Sequence, residues 1–420
     1  MVLANTAGAL TLNESIDLAL RQNPAVREAY QGTAQAAGKL SQAATSFLPS
    51  LKLDGSMGKS YSQPQTMQIA PGTYMTFGTS DQADISRYNL TLSQPVFVAA
   101  LLPGYGLARK NYDLARENLR KVAQETVYNT IVAYANVIRA QKLAGLSEQS
   151  LNMAKSHLNQ AQIMFNAGVT PKADLLRNQV QVLNAEVALT KARSGLYIAE
   201  SSFNNVLGRS PGQAAEVDEK ELGHTPPSLP DYEKLISEMF KSRPDWQQLI
   251  LSEEMAKDYL TVAKTEYFPS FMLVGNYGNT KTEYPSYKSD VNSWTAVVSG
   301  SWSLFNLPTA GKVAEAQAGL AAQLARRENV KNGLELELRS AYYELKSALE
   351  TIELTKKALE YAEENYKVSE MRYKTGAGTN LDSLDAQVSL TQARINDLQA
   401  KFDLEIARAK INKVVGKEVL

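Results

Sequence analysis

Gly168-Val169-Thr170-Pro171-Lys172-Ala173-Asp174-Leu175-Leu176 and Gly376-Ala377-Gly378-Thr379-Asn380-Leu381-Asp382-Ser383-Leu384 are two copies of one turn, 208 residues apart. The stretch before each turn is long and unbroken: residues 99–166 hold no proline after Pro103, and 306–374 none after Pro308. At ~1.5 Å per residue, helices of that length run on the order of 100 Å. After the turns, apolar or small residues recur in 4,3 spacing at Leu176, Val180, Leu183, Val187, Thr190, Ser194 and Tyr197, and again at Leu384, Val388, Thr391, Ile395, Leu398 and Phe402. Such a repeat keeps one stripe against a partner helix and specifies a supercoil rather than a globule. The expectation is helices over 99–166 and 171–207, then over 309–374 and 380–415, folded as two antiparallel coiled-coil hairpins.

The duplication extends to both sides of the turns. Pro95-Val96-Phe97 answers Ser303-Leu304-Phe305, Ala133-Tyr134 answers Ala341-Tyr342, and Asn204 through Gly208 answers Asn412 through Gly416, all at the same offset of 208. Nearer each repeat's start the offset is 220, where Asn23-Pro24 answers Arg243-Pro244 and Phe47-Leu48-Pro49-Ser50 answers Tyr267-Phe268-Pro269-Ser270. The extra residues of the first copy therefore fall between Ser50 and Pro95, where Gly, Ser, Pro and Thr cluster and a longer loop is easily tolerated. The chain reads as a first repeat over 1–208, a linker over 209–230 and a second repeat over 231–420. Each repeat opens with a further helix, expected over 12–44 and 231–265.

Between the opening helix and the hairpin the period changes to two. Leu51, Leu53, Tyr88, Leu90, Leu92, Phe271, Leu273, Tyr277, Trp294, Ala296, Val298 and Trp302 alternate with residues such as Lys52, Asn89, Thr91, Asn276, Ser299 and Ser301. Strands are expected over about 47–60, 85–97, 269–282 and 292–305, with one wet and one apolar face. The coiled-coil stripes are committed to other helices, so something else must cover the apolar face. Strands of ~9 to 11 residues cross lipid, and Trp294, Trp302, Tyr88 and Tyr277 suit its interface, so a lipid-facing barrel is the economical solution. Four strands cannot close a barrel, and an open edge in lipid leaves backbone groups unsatisfied. The chain must then oligomerise; two copies would give eight strands and three would give twelve, and periodicity does not choose.

Composition narrows the alternatives. The 420 residues are 44% apolar and 21% charged, ordinary for a folded protein. Lys plus Arg equals Asp plus Glu at 44 each, so nothing in the balance points to nucleic acid. The absence of cysteine excludes disulfides and thiolate chemistry. No run approaches the ~20 apolar residues of a membrane-spanning helix. The opening Met-Val-Leu-Ala-Asn-Thr-Ala-Gly lacks a basic region followed by an apolar core and reads as a chain whose leader has been removed.

A tandem repeat of helix, strand pair and long hairpin, with a Gly-rich turn and an Asp six residues after its first Gly, resembles the TolC-like outer-membrane efflux proteins. The segments around Gly168 and Asp174, around Gly376, Asp382 and Asp385, and the two Pro-Ser segments before the strands carry that resemblance. It implies a homotrimer with a twelve-stranded barrel in outer-membrane lipid, continued by a helical tunnel through the periplasm. The function it implies is the exit duct of a tripartite efflux pump or type I secretion system, working with a periplasmic adaptor and an inner-membrane transporter. The turns at Gly168, Val169 and Thr170 and at Gly376, Ala377, Gly378 and Thr379 would form the periplasmic tip where adaptor hairpins dock.

The resemblance also assigns a gate. Asp382 and Asp385 match the acidic residues that ring the family's narrowest point, where threefold symmetry would make two carboxylate rings that attract cations. The plain alternative is first-turn carboxylates favoured by the helix dipole. Tyr373 and Asp174 match the tyrosine and aspartate that latch the family's closed state, although Tyr373 also reads as a seam aromatic answering Phe165. The family's basic partner, two residues after the Gly, is Gly378 here, so that link is missing or replaced.

Nothing suggests catalysis, a cofactor or a metal. His157 and His224 are the only histidines, each without a second ligand at metal spacing, and both read as solvated surface residues. No nucleophile elbow, P-loop, H-E-x-x-H or dinucleotide fingerprint occurs. The competing reading is a non-conducting coiled-coil scaffold or membrane tether, which would have no reason to keep amphipathic strands inside each repeat.

Overall fold

The computed structural model describes residues 9–61, 63–78, 81–213, 216–218, 228–285 and 287–417. Its elements in order are α1 (Leu12–Gln22), α2 (Pro24–Thr45), β1 (Ser50–Tyr61), β2 (Gln65–Ala70), β3 (Thr73–Phe77), β4 (Gln82–Val98), α3 (Leu101–Asn166), α4 (Lys172–Val206), α5 (Tyr232–Ser242), α6 (Pro244–Thr265), β5 (Ser270–Tyr284), β6 (Tyr287–Ser301), α7 (Leu307–Lys374) and α8 (Asn380–Val415). The chain is mainly helical, and α3 and α7 run for 66 and 68 residues.

The opening helix of each repeat differs from its sequence expectation. Instead of single helices over 12–44 and 231–265, each is broken before a proline, between Gln22 and Pro24 and between Ser242 and Pro244. A proline ring has no N–H and pushes the residue before it out of the helical region. Asn23 and Arg243 accordingly sit at ψ 125° and 123°. Asn23 also starts the next helix, its Oδ1 accepting the Ala25 N–H at 2.8 Å, so one residue ends α1 and caps α2. Thr11 and Glu14 close a capping box on α1.

Contacts divide the chain into two compact units, each drawing on both repeats, so the units do not coincide with the repeats. One comprises 1–33, 115–249 and 327–420. Its cores are built twice: α1 packs through Ala19 with Tyr134, Ile138, Phe203 and Leu207, and α5 packs through Leu235 and Met239 with Leu338, Leu345, Ile411 and Val414. The described part of the linker is tied into the first core. Leu10 bridges Val217, and the Tyr134 hydroxyl lies 3.1 Å from the Leu10 carbonyl and 2.7 Å from that of Asp218. His224 and the first eight residues lie outside the described residues.

The other unit, 34–114 and 250–326, holds the strands. β1, β4, β5 and β6 form one antiparallel sheet in that order, leaving β1 and β6 as its edges. The extra residues of the first copy form a separate hairpin, β2 with β3, rather than the plain longer loop expected from their composition. The strands shift slightly from expectation, to 50–61, 82–98, 270–284 and 287–301. The chain leaves the sheet at Trp302, whose indole N–H donates to the Tyr267 carbonyl at 3.1 Å.

Candidate gate and channel surfaces

In the strand unit, register turns the period-two pattern into two faces. Leu53 stands opposite Leu90, Leu90 opposite Tyr277, and Tyr277 opposite Trp294, so four apolar residues form a row across the sheet. The neighbouring row is Leu51, Leu92, Gly275 and Ala296, and Leu273 with Val298 follows beyond it. Among the described residues nothing covers this face: Leu53 is 71% exposed and Trp294 76%. The opposite face carries Lys52, Thr91, Asn276 and Thr295 in register, with Thr91 donating to Asn276 at 2.9 Å. Four strands thus present a complete apolar wall and a complete polar wall, with open edges. Among the described residues no helix is long and apolar enough to cross a membrane.

The helical hairpins also carry uncovered apolar surface. The stripe read from Leu176 to Tyr197 faces no helix among the described residues: Leu176, Val180, Leu183 and Val187 are 50 to 60% exposed. The residues buried on α4 over the same stretch are Leu175, Asn178, Val182, Ala185, Leu189 and Ala192, a second 4,3 stripe beside the first. On α8 the matching stripe is largely engaged. Thr391 meets Ser150 of α3 at 3.0 Å, and Leu398 and Phe402 pack with Tyr134 and Phe203. Sequence periodicity finds both stripes but cannot say which one a chain uses on itself.

The two turns are built alike. Gly168 and Gly376 take φ of 74° and 76°, the left-handed conformation that ends a helix without strain only for glycine. The Val169 N–H reaches back to the Met164 carbonyl at 2.9 Å, and the Ala377 N–H to the Arg372 carbonyl at 2.8 Å. Val169 is 70% exposed, Thr170 is partly buried, and Ala377 and Thr379 are exposed.

Asp382 is held by its own helix end. Its carboxylate accepts the Thr379 N–H at 3.2 Å while the Thr379 hydroxyl accepts the Asp382 N–H at 3.1 Å, a closed capping box. Hydrogen bonds from Thr379 hold its carboxyl below the usual range, with the Arg372 charge adding to the effect. Asp385 is exposed one turn further along.

Tyr373 and Asp174 come together without bonding. Tyr373 is 3% exposed, yet its hydroxyl has no hydrogen-bond partner among the described residues. Burial pushes its phenol pKa up, and the nearby Asp174 charge pushes it further. Asp174 is engaged instead by Arg177, three residues along α4, at 3.3 Å. At Gly378, an added Cβ would stand 3.0 Å from the Arg372 Cβ, so the backbone is packed closely there. Arg372, one of two cations in the last turn of α7 with Lys374, donates to the Ala377 carbonyl at 3.4 Å.

Sequence reasoning missed Arg177, Arg372, Asn178 and Asn380. Arg177 was findable from its i,i+3 spacing to Asp174. Asn178 and Asn380 were not, because only the packed hairpins bring them to 3.0 Å. His157 corrects the surface expectation: it is 4% exposed in the seam between α3 and α7, with Nε2 3.3 Å from the Tyr366 hydroxyl. Burial lowers its pKa below the ordinary value, against the opposing pull of Glu370. Among the described residues no group of three or more His, Asp or Glu could hold a metal ion.

The family model described as outer membrane efflux protein matches residues 15–209 and 235–417. The chain is similar to outer membrane protein TolC of Escherichia coli strain K12, at 21% identity over 409 residues covering 94% of this chain and 80% of that one. It is 24% identical to the toluene efflux pump outer membrane protein TtgC of Pseudomonas putida over 355 residues, 78% of this chain and 69% of that one. In fold it resembles the outer-membrane channel OprN, with a TM-score of 0.81 at 20% identity, covering 96% of this chain and 89% of that one. The chain belongs to the outer membrane efflux protein family: it is an outer-membrane protein reaching into the periplasm, and a channel rather than an enzyme.

Proposed function

We propose that three copies of this chain form the exit duct of a tripartite efflux pump or type I secretion system, closed at the periplasmic turns. The observation that carries this reading is the four-stranded sheet with one uncovered apolar wall and two free edges. In the sheet β1 and β6 run antiparallel to their neighbours, so β1 of one copy can pair with β6 of the next and continue the same alternation around a ring. Three copies make twelve strands, a closed barrel with lipid outside and a polar lumen.

The helices support the same closure. Because α4 repeats α8 and α7 repeats α3, the contact of α8 with α3 inside one chain has a counterpart between α4 of one copy and α7 of the next. The exposed α4 stripe is then the unfilled half of that contact, and Leu354, Tyr361 and Val368 of α7, exposed by 67, 72 and 48%, offer the other half. At the turns, Asp382 and Asp385 from three copies would ring the aperture, and Tyr373 with Asp174 would latch it. A small shift of the Tyr373 side chain toward Asp174 would give its hydroxyl the acceptor it lacks. The turn segments Gly168 to Thr170 and Gly376 to Thr379 present backbone and small side chains to an adaptor hairpin, which in turn meets the inner-membrane transporter. The duct itself conducts passively what the transporter hands on.

The test is single-channel conductance of the detergent-purified protein in planar bilayers, beside its mass in detergent. A trimer with a small cation-selective conductance is expected, growing in Asp174→Ala and losing cation preference in Asp382→Ala/Asp385→Ala. A monomer, or a trimer that never conducts, overturns the duct. Conductance indifferent to all three carboxylates overturns the gate.

A further inference from the structure

Buried polar side chains without partners collect at one place in this protein. Nine buried side-chain nitrogen or oxygen atoms have no hydrogen-bond partner among the described residues, and six of them belong to Thr170, Asn178, Tyr373, Asn380, Ser383 and Gln387. Asn178 is 1% exposed, Ser383 0%, Gln387 1% and Asn380 4%. Folded proteins rarely leave such groups unpaired, because each has given up water and received nothing in return. Six around the start of α4 and the start of α8 call for a reason that scattered exceptions do not.

The centre of the cluster is one contact between the two hairpins. The Asn178 side-chain NH2 donates to the Asn380 Oδ1 at 3.0 Å and to the Asp174 carbonyl at 2.9 Å. That leaves the Asn178 Oδ1 and the Asn380 Nδ2 unpartnered on either side of the bond, with Ser383 and Gln387 following on the same face of α8. Further along, α4 is committed to its own hairpin: Val182, Ala185 and Leu189 pack with Leu151 and Ala154 of α3. The contact that α4 and α8 make at their first turns is polar and short of partners.

We propose that the Asn178–Asn380 contact is the clasp released when the tip opens, and that the unpartnered atoms around it receive water as the two hairpins part. The inference rests on the tip being the gate. A dry seam resists parting because each apolar side chain must be rehydrated. This one gains hydrogen bonds on hydration, so the cost of breaking a single amide pair is offset by partners for several groups at once. Val182, Ala185 and Leu189 hold α4 to α3, so the first hairpin keeps its own apolar seam while the polar contact at the first turns of α4 and α8 is hydrated.

The 420-residue sequence has no cysteine, so Asn178→Cys/Asn380→Cys carries its only thiols. The trimer of this variant is assayed in planar bilayers oxidised and then with reductant, alongside Asn178→Leu/Asn380→Leu, which replaces the polar clasp by an apolar pair of similar size. The oxidised cysteine pair is expected to lower the frequency of opening at least tenfold, with recovery on reduction. The leucine pair should lower it similarly without responding to reductant, and should slow amide exchange over 172–180 and 380–390. A cross-link that forms while openings continue at the wild-type frequency overturns the clasp, as does a folded leucine variant that opens like wild type. If Asp174→Ala and Asp382→Ala/Asp385→Ala alter conductance in the same preparations while both clasp variants do not, the clasp alone falls. If none of the four does, the tip is not the gate and both readings fall.

Discussion

Asn23 and Arg243 hold equivalent places in the two repeats and make the same contact with different side chains. The Asn23 Nδ2 donates to the Val206 carbonyl at 2.8 Å, and the Arg243 Nη1 donates to the Val414 carbonyl at 3.1 Å, each tying the break after the opening helix to the end of the last helix of its repeat. Arg243 adds ion pairs with Asp245 and Glu337 and is only 8% exposed. Removing it deprives Glu337 and the Val414 carbonyl of this partner, while Asp245 keeps its ion pair with Lys121 at 3.3 Å. Arg243→Ala should cost about 3 to 4 kcal/mol, and Asn23→Ala about 1 to 2 kcal/mol. Thermal unfolding of the two variants in detergent checks the order; equal midpoints would mean that the ion pairs around Arg243 add nothing.

Two left-handed glycines separate backbone strain from crowding. Gly168 and Gly208 have φ of 74° and 76°. Around Gly168 an added Cβ meets nothing within 4 Å, whereas at Gly208 it would stand 2.6 Å from the Gln22 carbonyl oxygen. Gly168→Ala should therefore cost only the left-handed penalty of about 1 to 2 kcal/mol. Gly208→Ala must in addition displace the end of α1 and should lower the unfolding midpoint at least twice as far. A Gly208→Ala variant as stable as Gly168→Ala would show that the α1 end moves freely.

The duplication, the long helices and the two-faced strands were legible because each follows from spacing within one chain: offsets of 208 and 220, a 4,3 stripe, a period of two. What was hidden depends on which partner a surface meets. The stripe from Leu176 to Tyr197 is a sound coiled-coil pattern, yet the chain packs α4 through the adjacent Leu175 to Ala192 stripe instead. His157 among polar neighbours looked solvated because sequence does not place Tyr366 over it; their ring centres are 6.2 Å apart. Asp174 and Tyr373 were singled out by position in the turns, but Arg177 takes the carboxylate that the tyrosine was expected to hold. The prolines at 24 and 244 were visible all along, and their breaks follow from ring chemistry alone.

Acidification should loosen the seam around His157. Its folded pKa lies below the ordinary 6.5 because burial disfavours the imidazolium, while Glu370 pulls the other way and Lys374 adds to the lowering. The unfolded or locally opened form then binds a proton more readily than the closed form as pH falls below about 6.5, so stability of this region declines with falling pH until the folded pKa is passed. Above that window the residue contributes no pH dependence. Amide exchange across 150–165 and 360–374 should quicken between pH 7 and pH 5 in the wild type, and the effect should shrink in His157→Gln. An undiminished response in that variant would move the cause to other groups.

The two faces of the sheet should respond oppositely to charge. Trp294 and Thr295 are neighbours on β6, but Trp294 lies in the row with Leu53, Leu90 and Tyr277, whereas Thr295 faces Asn276 and Thr91. If the apolar wall meets lipid, Trp294→Lys places a cation in it at a cost of up to about 2 to 4 kcal/mol, less near the interface, where lysine can reach water. Thr295→Lys adds a cation to a wet lumen, where it should leave stability nearly unchanged and reduce cation preference. Leu53→Lys, at the other end of the same row on the opposite edge strand, should behave as Trp294→Lys does. The measurement is the urea midpoint of each variant refolded into lipid vesicles, with bilayer conductance of Thr295→Lys beside it. Should Thr295→Lys be the damaging change and Trp294→Lys the silent one, the assignment of walls is inverted and lipid lies against the polar face.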